Sequence, residues 1–405
     1  MNLRLLSLAF APFAFGTSAF AFVGLIVPMS EGLDTGIPLV GQLQTAFALA
    51  CGIGGPILAR VLSRFDRKRL LLTVMLMLLL MNVASALAPT FSSLLAVRVV
   101  GGFIAALTLP LASGITVSIV SEPQRPAALA VVLSGYTLAF LLGMPIATLL
   151  GEAYGWRASF WFAGAITVLS LIAISVGTPA RIATAAAVGA DFKSALRGDN
   201  QRLVLITLIG FCATFSTVSF VAPVITAFTG LEGTAIGGIQ IATGIGSLLG
   251  LPAGAKLATL SARRALLILL SITALTQIAF TLGMLYDLGS IAVPALLLVM
   301  ALGSAALFAM SPVIQAQLAK TAGASTTLAF AINGSMLYFG QGLGASIGGG
   351  VYAGVALAWV GAAGACVAVL GTFVASGLDR GIVSERLKKE KPPGLDGQLA
   401  NLATD

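Results

Sequence analysis

Long runs without a charged residue alternate along the chain with short clusters of Lys, Arg, Asp and Glu. Ten of the eleven runs are close to the roughly 20 apolar residues that a helix needs to cross a hydrocarbon core. The last run, 321–378, leaves room for two crossings with a turn near 352–355. Apolar residues are continuous, as in 70–80, and do not alternate as they would in the strands of a membrane barrel. The pattern therefore predicts an all-α integral membrane protein with twelve transmembrane helices.

The composition agrees with a surface that faces lipid. Of the 405 residues, 22 are basic and 14 are acidic, and the mean hydropathy is +1.04. Soluble domains are about 25% charged, so this chain has too few polar side chains to cover a surface in water. The three cysteines lie far apart in apolar runs and histidine is absent. Metal sites and nucleophilic catalysis lack their usual residues, so we expect no metal, no cofactor and no enzymatic activity.

The basic residues indicate the orientation. Every Lys and Arg except Arg98 and Arg157 lies near a terminus, in the central linker or in connections on one face of the membrane. The opposite connections carry acidic residues, at Glu31, Asp34, Glu152, Glu232 and Asp287. Because Lys and Arg mark the cytoplasmic side, both termini are expected in the cytoplasm. Topology and contact with membrane lipid then account for the net charge of +8, and no nucleic-acid partner is expected.

The two halves of the chain repeat each other. A shift of 196 residues pairs Gly54 with Gly250, among other residues, and a shift of 199 pairs glycines of spans five and eleven. Such repetition is typical of transporters whose halves move about a shared site. A polar stretch between spans six and seven reads as a linker. The predicted organisation is a six-helix bundle at 1–176, a cytoplasmic linker at 177–200, a second, pseudo-symmetric bundle at 201–378 and a cytoplasmic tail at 379–405.

Four segments carry motifs. The loop 59–68 between spans two and three has a basic cluster, and span four has Arg98 followed by two glycines. Spans five and eleven carry small and polar residues at Gly135, Gly143, Pro145 and Gly151, and at Asn333, Tyr338, Gly340, Gln341, Gly344 and Gly348. These segments resemble signatures of the major facilitator superfamily, in particular its drug and sugar efflux branch.

The resemblance implies the fold of that superfamily, a monomer, a bacterial-type inner membrane and transport of a small solute by alternating access. It also implies residues that gate the conformational change, at Arg64, Asp66, Arg67, Lys68, Gly143 and Pro145. In the family, an Asp of the loop motif latches the two halves on the cytoplasmic side. Ser63 stands in its place here, so the latch is expected to be weaker or made differently.

Carboxylates are missing from the middle of the spans. All 14 acidic residues fall in loops, at helix ends or in the tail, and Ala19 stands where many efflux relatives carry a Glu in span one. The usual carrier for proton coupling is therefore not evident. An organic cation in the chamber would also lack a counter-charge, which at an effective dielectric of ~20 forgoes several kcal/mol. A neutral or weakly anionic solute is favoured.

Arg98 is the ionisable residue that lies well inside a span. One interpretation is a site or gate element that attracts anions or carbonyl groups. The other is a tie between helices, satisfied by backbone carbonyls. The sequence leaves both open.

Further polar and aromatic side chains near the middle of the spans are candidates for contact with the solute. Amides and phenols rank above hydroxyls, because a hydroxyl often bonds to its own helix backbone. Together with Arg98, the candidate substrate-binding residues are Thr17, Gln44, Thr108, Phe215, Thr217, Gln240, Asn333, Tyr338 and Gln341.

The sequence thus favours a secondary active transporter that exports a small neutral or weakly anionic organic solute, such as a drug, sugar or metabolite. A facilitative uniporter without proton coupling is one alternative, favoured by the missing carboxylates. A transporter-like receptor that moves nothing is the other.

Overall fold

A computed structural model describes residues 3–62, 64–179 and 195–378. Within these ranges the backbone forms helices and no strand, because each helix satisfies its own backbone hydrogen bonds in lipid. Eleven spans are long and apolar enough to cross a membrane. A further helix, Thr326–Gly354, has 29 residues but is richer in glycine and polar side chains. The prediction of twelve helices is confirmed.

We number the spans in chain order and call spans 1–6 the N half and spans 7–12 the C half. The N half contains Leu3–Gly32, Ile37–Val61, Arg67–Leu87, Phe91–Ile119, Glu122–Tyr154 and Arg157–Gly177. The C half contains Asp199–Val218 continued by Val221–Thr229 (span 7), then Thr234–Leu257, Ala262–Leu285, Gly289–Thr321, Thr326–Gly354 and Leu357–Ser376.

The predicted boundaries between bundles, linker and tail stay a prediction. Span 7 begins at Asp199, two residues before the predicted start of the second bundle. Residues 180–194 of the linker and the tail 379–405 lie outside the described residues. The turn between the last two spans follows Gly354 and ends at Leu357, next to the predicted turn at 352–355.

Spans 1 and 7 are both interrupted past their midpoints, toward the face opposite the termini. In span 1 the helix Leu3–Phe20 is followed by a short turn, Val23–Leu25, and by the helix Ile26–Gly32. In span 7 the interruption lies between Val218 and Val221. A broken helix leaves backbone carbonyls that need donors, so both interruptions leave polar backbone groups inside a span.

Close packing of glycines shows which residues of the two halves correspond. A Cβ at Gly54 would overlap the backbone of Phe103, and a Cβ at Gly250 would overlap the backbone of Ala305. These are the contacts between spans 2 and 4 and between spans 8 and 10, so Phe103 corresponds to Ala305. Counting back five residues in each span, Arg98 corresponds to Met300.

The two halves contact each other toward the face opposite the termini. Spans 2 and 11 pack there, because a Cβ at Gly349 would overlap the side chain of Gln42 and approach the Pro38 carbonyl. Spans 5 and 8 pack at the same level, and the Thr148 hydroxyl donates to Gln240 Oε1 at 2.8 Å. These contacts lie between the middle of the membrane and the face at which span 1 ends and span 2 begins.

Candidate functional site

Arg98 lies in the interior of the N half, with a relative exposure of 4%. Its Nη1 donates to the Ser18 carbonyl and its Nη2 to the Ala19 carbonyl, both at 2.8 Å. The guanidinium lies over the rings of Phe47 and Phe22, at 4.2 and 4.8 Å. The two carbonyls end the first helix of span 1, where donors are needed. The contacts are therefore those of a tie that holds span 1 at its interruption.

An amide supports the same segment from span 3. Asn82 Nδ2 donates to the Ser18 hydroxyl at 2.8 Å and lies 3.4 Å from the Thr167 hydroxyl. The C half contains the equivalent bond, because Gln277 Nε2 on span 9 donates to the Thr217 hydroxyl at 3.1 Å. Neither amide was among the predicted site residues, although shifts of 195 and 199 residues pair Asn82 with Gln277 and Ser18 with Thr217.

Aromatic rings fill the space between the halves. Phe15 of span 1 meets Tyr338 of span 11 edge-on, with ring centroids 6.0 Å apart. Gln341 Nε2 donates to the Tyr136 hydroxyl at 3.3 Å, which joins span 11 to span 5. The Tyr338 hydroxyl is buried and has no hydrogen-bond partner among the described residues. Tyr136 was absent from the predicted site; its partner Gln341 and the ring contact with Phe15 place it there.

A cavity lies beside these rings, mostly within the C half. Spans 7, 8, 9 and 10 form most of its wall, and span 5 of the N half closes one side with Phe140 and Met144. Phe215 and Thr217, both predicted to contact the solute, line it. Gln277 also lines it, and the Oε1 of this amide has no partner among the described residues.

Other candidate residues lie at helix contacts. Gln240 bonds to Thr148, as described above, and Asn333 Oδ1 accepts from the Thr207 hydroxyl at 2.6 Å. Three more candidates are buried, and their side-chain polar atoms have no partner among the described residues: Thr17, Gln44 and Thr108. The structure therefore divides the predicted set between the central rings, the cavity and the helix contacts.

The residues of the loop motif contact their own half. Arg67 Nη1 donates to the Gly114 carbonyl of span 4 at 3.0 Å. Lys68 Nζ donates to the carbonyls of Ser175 and Thr178, at 2.9 and 2.6 Å, at the end of span 6. Asp66 accepts from the Arg69 backbone amide and so caps span 3, while exposed Arg64 lies 5.8 Å from the Phe65 ring centroid. Ser63 lies outside the described residues.

The two gating candidates on span 5 lie at an irregular turn. Residues Ala139–Gly143 form one wide π-helical turn, and Pro145 is the second residue of the helix that follows. A Cβ at Gly143 would overlap the side chain of Thr17 on span 1. Wide turns of this kind often mark functional segments. The turn also places Phe140 and Met144 at the wall of the cavity.

The described Asp and Glu side chains lie at span ends or in connections, as Glu122, Glu152 and Asp199 illustrate. Within the described ranges, no three His, Cys, Asp or Glu side chains come together as metal ligands would. The described side chains between the halves are therefore rings, amides and hydroxyls, and the Arg98 guanidinium lies within the N half.

Comparison with known proteins identifies the family. The family model described as the Major Facilitator Superfamily matches residues 6–326. The inner membrane transport protein YdhP of Escherichia coli O157:H7 is 30% identical over 91% of this chain and 94% of its own length. A chloramphenicol resistance protein of Streptomyces lividans is 33% identical over 64% of this chain and 67% of its own.

Among solved structures, a bacterial homologue of the human lysosomal transporter Spinster superimposes with a TM-score of 0.69 at 16% identity. The superposition covers 92% of this chain and 95% of that one. This likeness confirms the predicted fold. The chain thus matches the family model over most of its length and shares the fold. It belongs to the major facilitator superfamily of transporters.

Proposed function

We propose that this transporter exports a small neutral or weakly anionic organic solute across the inner membrane by alternating access, as a secondary active carrier. The observation that carries the proposal is the chemistry of the space between the halves. Its described lining includes phenols, amides and phenyl rings and no acidic side chain.

The charge of the solute follows from that lining. A permanent cation moved into this chamber would lose its hydration, without a carboxylate among the described lining residues to offset the cost. At an effective dielectric of about 20, a missing partner charge at 4 Å forgoes roughly 4 kcal/mol. A neutral solute loses no such attraction, and its hydrogen-bonding groups can pair with free polar atoms such as the Tyr338 hydroxyl.

The contacts between the halves support alternating access. With the termini in the cytoplasm, as the basic connections favour, the contacts of Thr148 with Gln240 and of spans 2 with 11 close the outer face. Movement to the opposite state must break them. Glycine at the contacts of spans 2 and 11 lets the two backbones approach closely, so the closed state depends on packing and a few hydrogen bonds.

We further propose that transport is outward and is driven by exchange with protons. The direction rests on the resemblance to efflux transporters, and a drug-resistance protein is among the relatives. A uniporter is the second candidate, favoured because the described spans place no carboxylate at mid-membrane depth.

Flux measurements in proteoliposomes test the proposal. Vesicles are loaded with chloramphenicol, a neutral aromatic solute, or with tetraphenylphosphonium, a permanent cation, and release is followed with and without a pH gradient. We expect saturable protein-dependent release of the neutral solute only. Preferential transport of the cation contradicts the proposal. Release that does not respond to the pH gradient favours the uniporter, and binding without flux favours the receptor.

A further inference from the structure

The contact between spans 5 and 8 follows one face of each helix and ends at an acidic side chain. From its inner end outward, span 8 meets span 5 at three successive pairs: Gly244 with Leu141, Gln240 with Thr148 and Gly237 with Leu149. Glu152 lies one helical turn beyond Thr148 on the same face. Its Oε2 lies 3.9 Å from the position that a Cβ of Gly233, the residue before span 8, would take. The outer end of the contact therefore places a carboxylate of the N half against the C half.

Glu152 has no group that offsets its charge. Its side chain is half-buried and has no hydrogen bond or ion pair with the described residues. Four acidic residues elsewhere accept from a backbone amide or pair with an arginine: Asp66, Glu122, Asp199 and Asp287. A half-buried carboxylate without a donor or a cation is unfavourable in its ionised form.

The charged groups around Glu152 are mostly negative. Glu31, at the end of span 1, lies close enough to repel it. Asp34 follows in the connection between spans 1 and 2, and Glu232 lies in the connection that leads into span 8. Arg157, at the start of span 6, donates to the carbonyl that follows span 3 at 3.0 Å and stacks on a tryptophan ring. The closed outer contact therefore concentrates negative charge from both halves.

We propose that the outer contact is a pH-sensitive gate, in which a proton on Glu152 stabilises the closed state. The inference rests on the alternating access of the proposed function and adds control of that movement by the pH outside the membrane.

The direction of the pH effect follows from what closure does to Glu152. Separation of the halves hydrates this carboxylate and moves it away from Glu232, whereas closure removes water and brings the two together. Because the closed state disfavours the ionised form, closure takes up a proton, and a lower pH favours the closed state. The amide groups at the start of span 8 favour a negative charge and oppose this effect, but none donates to Glu152. An acidic outer side thus returns the carrier to the state that is open to the cytoplasm.

Distances between spin labels on the two halves test the inference. The labels are attached at Leu87→Cys and Tyr286→Cys, two exposed positions at the outer ends of spans 3 and 9. The full-length protein, with its three native cysteines replaced by alanine, is measured in lipid nanodiscs without solute at pH 5 and pH 8. We expect the ratio of closed to open protein to be about five-fold or more higher at pH 5, because one proton taken up on closure changes this ratio by up to about ten-fold per pH unit.

The main variant is Glu152→Gln, which keeps the shape of the side chain and removes its charge. We expect its ratio to be independent of pH and equal to the wild-type ratio at pH 5. The matched control is Asp287→Asn, which removes an acidic residue of the outer face whose carboxylate bonds within its own connection. We expect this control to keep the wild-type pH dependence.

Three results overturn the inference: a wild-type ratio that does not change with pH, a larger closed fraction at pH 8, or wild-type pH dependence in Glu152→Gln. A larger closed fraction at pH 8 would assign the contact to attraction between Glu152 and the start of span 8. If Glu152→Gln does not fold, Glu31→Gln decides, because it removes the neighbouring charge. A smaller pH dependence in that variant supports the inference, and wild-type dependence overturns it.

The outcome is distinguishable from that of the proposed function. Solute flux in proteoliposomes together with distances that do not depend on pH overturns the gate alone. Distances that depend on pH, in a protein that moves no solute, contradict the proposed transport and leave the gate in place.

Discussion

The two halves use the same framework in different ways at the level where spans 1 and 7 are interrupted. In the N half, Arg98 donates to two carbonyls of span 1 and is covered by two phenyl rings. In the C half, Met300 occupies the corresponding position beside a cavity, and in the N half Arg98 itself lines a second cavity together with Ser18 and Asn82. Both halves retain an amide that bonds to a hydroxyl of the interrupted span. The difference indicates that a buried charge ties one half at this level, whereas an uncharged thioether lies at the same position in the other.

Replacing Arg98 with Met makes the N half resemble the C half and has the largest expected effect on stability. Two hydrogen bonds from a charged donor contribute about 1.5–3 kcal/mol each, so we expect Arg98→Met to lower the free energy of unfolding by about 3 kcal/mol or more. Thermal unfolding in detergent measures it. Met300→Leu is the control, since volume-conserving swaps cost less than about 1.5 kcal/mol. Equal stability of the two variants would show that Arg98 is not a tie.

The short turn within the interruption of span 1 depends on a close approach between the halves. A Cβ at Gly24 would overlap Thr148 and approach Gln240, whereas Gly238 has open space around it. We expect Gly24→Ala to separate the outer contact and Gly238→Ala to leave it closed. A cysteine introduced at Gln42, which lies at that contact, reports the change through labelling by an impermeant maleimide.

A shift of about 1 kcal/mol toward the open state corresponds to a roughly five-fold faster labelling. Equal labelling rates in Gly24→Ala and Gly238→Ala would contradict the described outer contact.

Removal of the paired amides, Asn82 in the N half and Gln277 in the C half, is expected to have a smaller effect on stability. Asn82 bonds to Ser18 and approaches Thr167, whereas Gln277 has one bond and a free oxygen. A hydrogen bond contributes about 1 kcal/mol, so we expect Asn82→Leu to cost more stability than Gln277→Met, by about 1 kcal/mol. Thermal unfolding of the two variants without ligand checks this. The reverse order would mean that the amide of the C half is the structural one.

The smallest expected effect is at the hydrogen bond between the halves. Thr148→Val keeps the shape of the side chain and removes the donor to Gln240. We expect outer-face labelling at the Gln42 cysteine to increase two- to five-fold, because a net hydrogen bond contributes about 0.5–1 kcal/mol. Thr148→Ser, which retains the hydroxyl, serves as its control. Labelling that is the same in both variants would assign the contact to packing alone.

The fold followed from the sequence more completely than the site did. Uncharged runs of membrane-crossing length and the half-length repeat predicted twelve helices, because lipid permits few ways to satisfy the backbone. The position of Arg98 was predicted as well, but its two interpretations were separated only when its contacts with Ser18 and Ala19 were seen. Those contacts depend on the interruption of span 1, which has no proline or charge at Phe20 to mark it.

The cavity illustrates why the rest of the site was not evident. Gln277 lies in an apolar span, and its role depends on Thr217 from span 7 and on the size of Met300 on span 10. Such a site is defined by the distances between helices and by the volume that a side chain leaves empty. The repeat contains the signal, since Asn82 and Gln277 are paired by a shift of 195 residues. Recognising it required the correspondence of Arg98 with Met300.

Among the described residues, no negative side chain lies in the chamber between the halves, and we propose that the transporter therefore carries neutral solutes. Flux of chloramphenicol and of tetraphenylphosphonium through the wild-type protein, compared in the same proteoliposomes, tests this. We expect saturable transport of chloramphenicol that tetraphenylphosphonium does not inhibit. Transport of tetraphenylphosphonium, or competitive inhibition by it, would contradict the proposal.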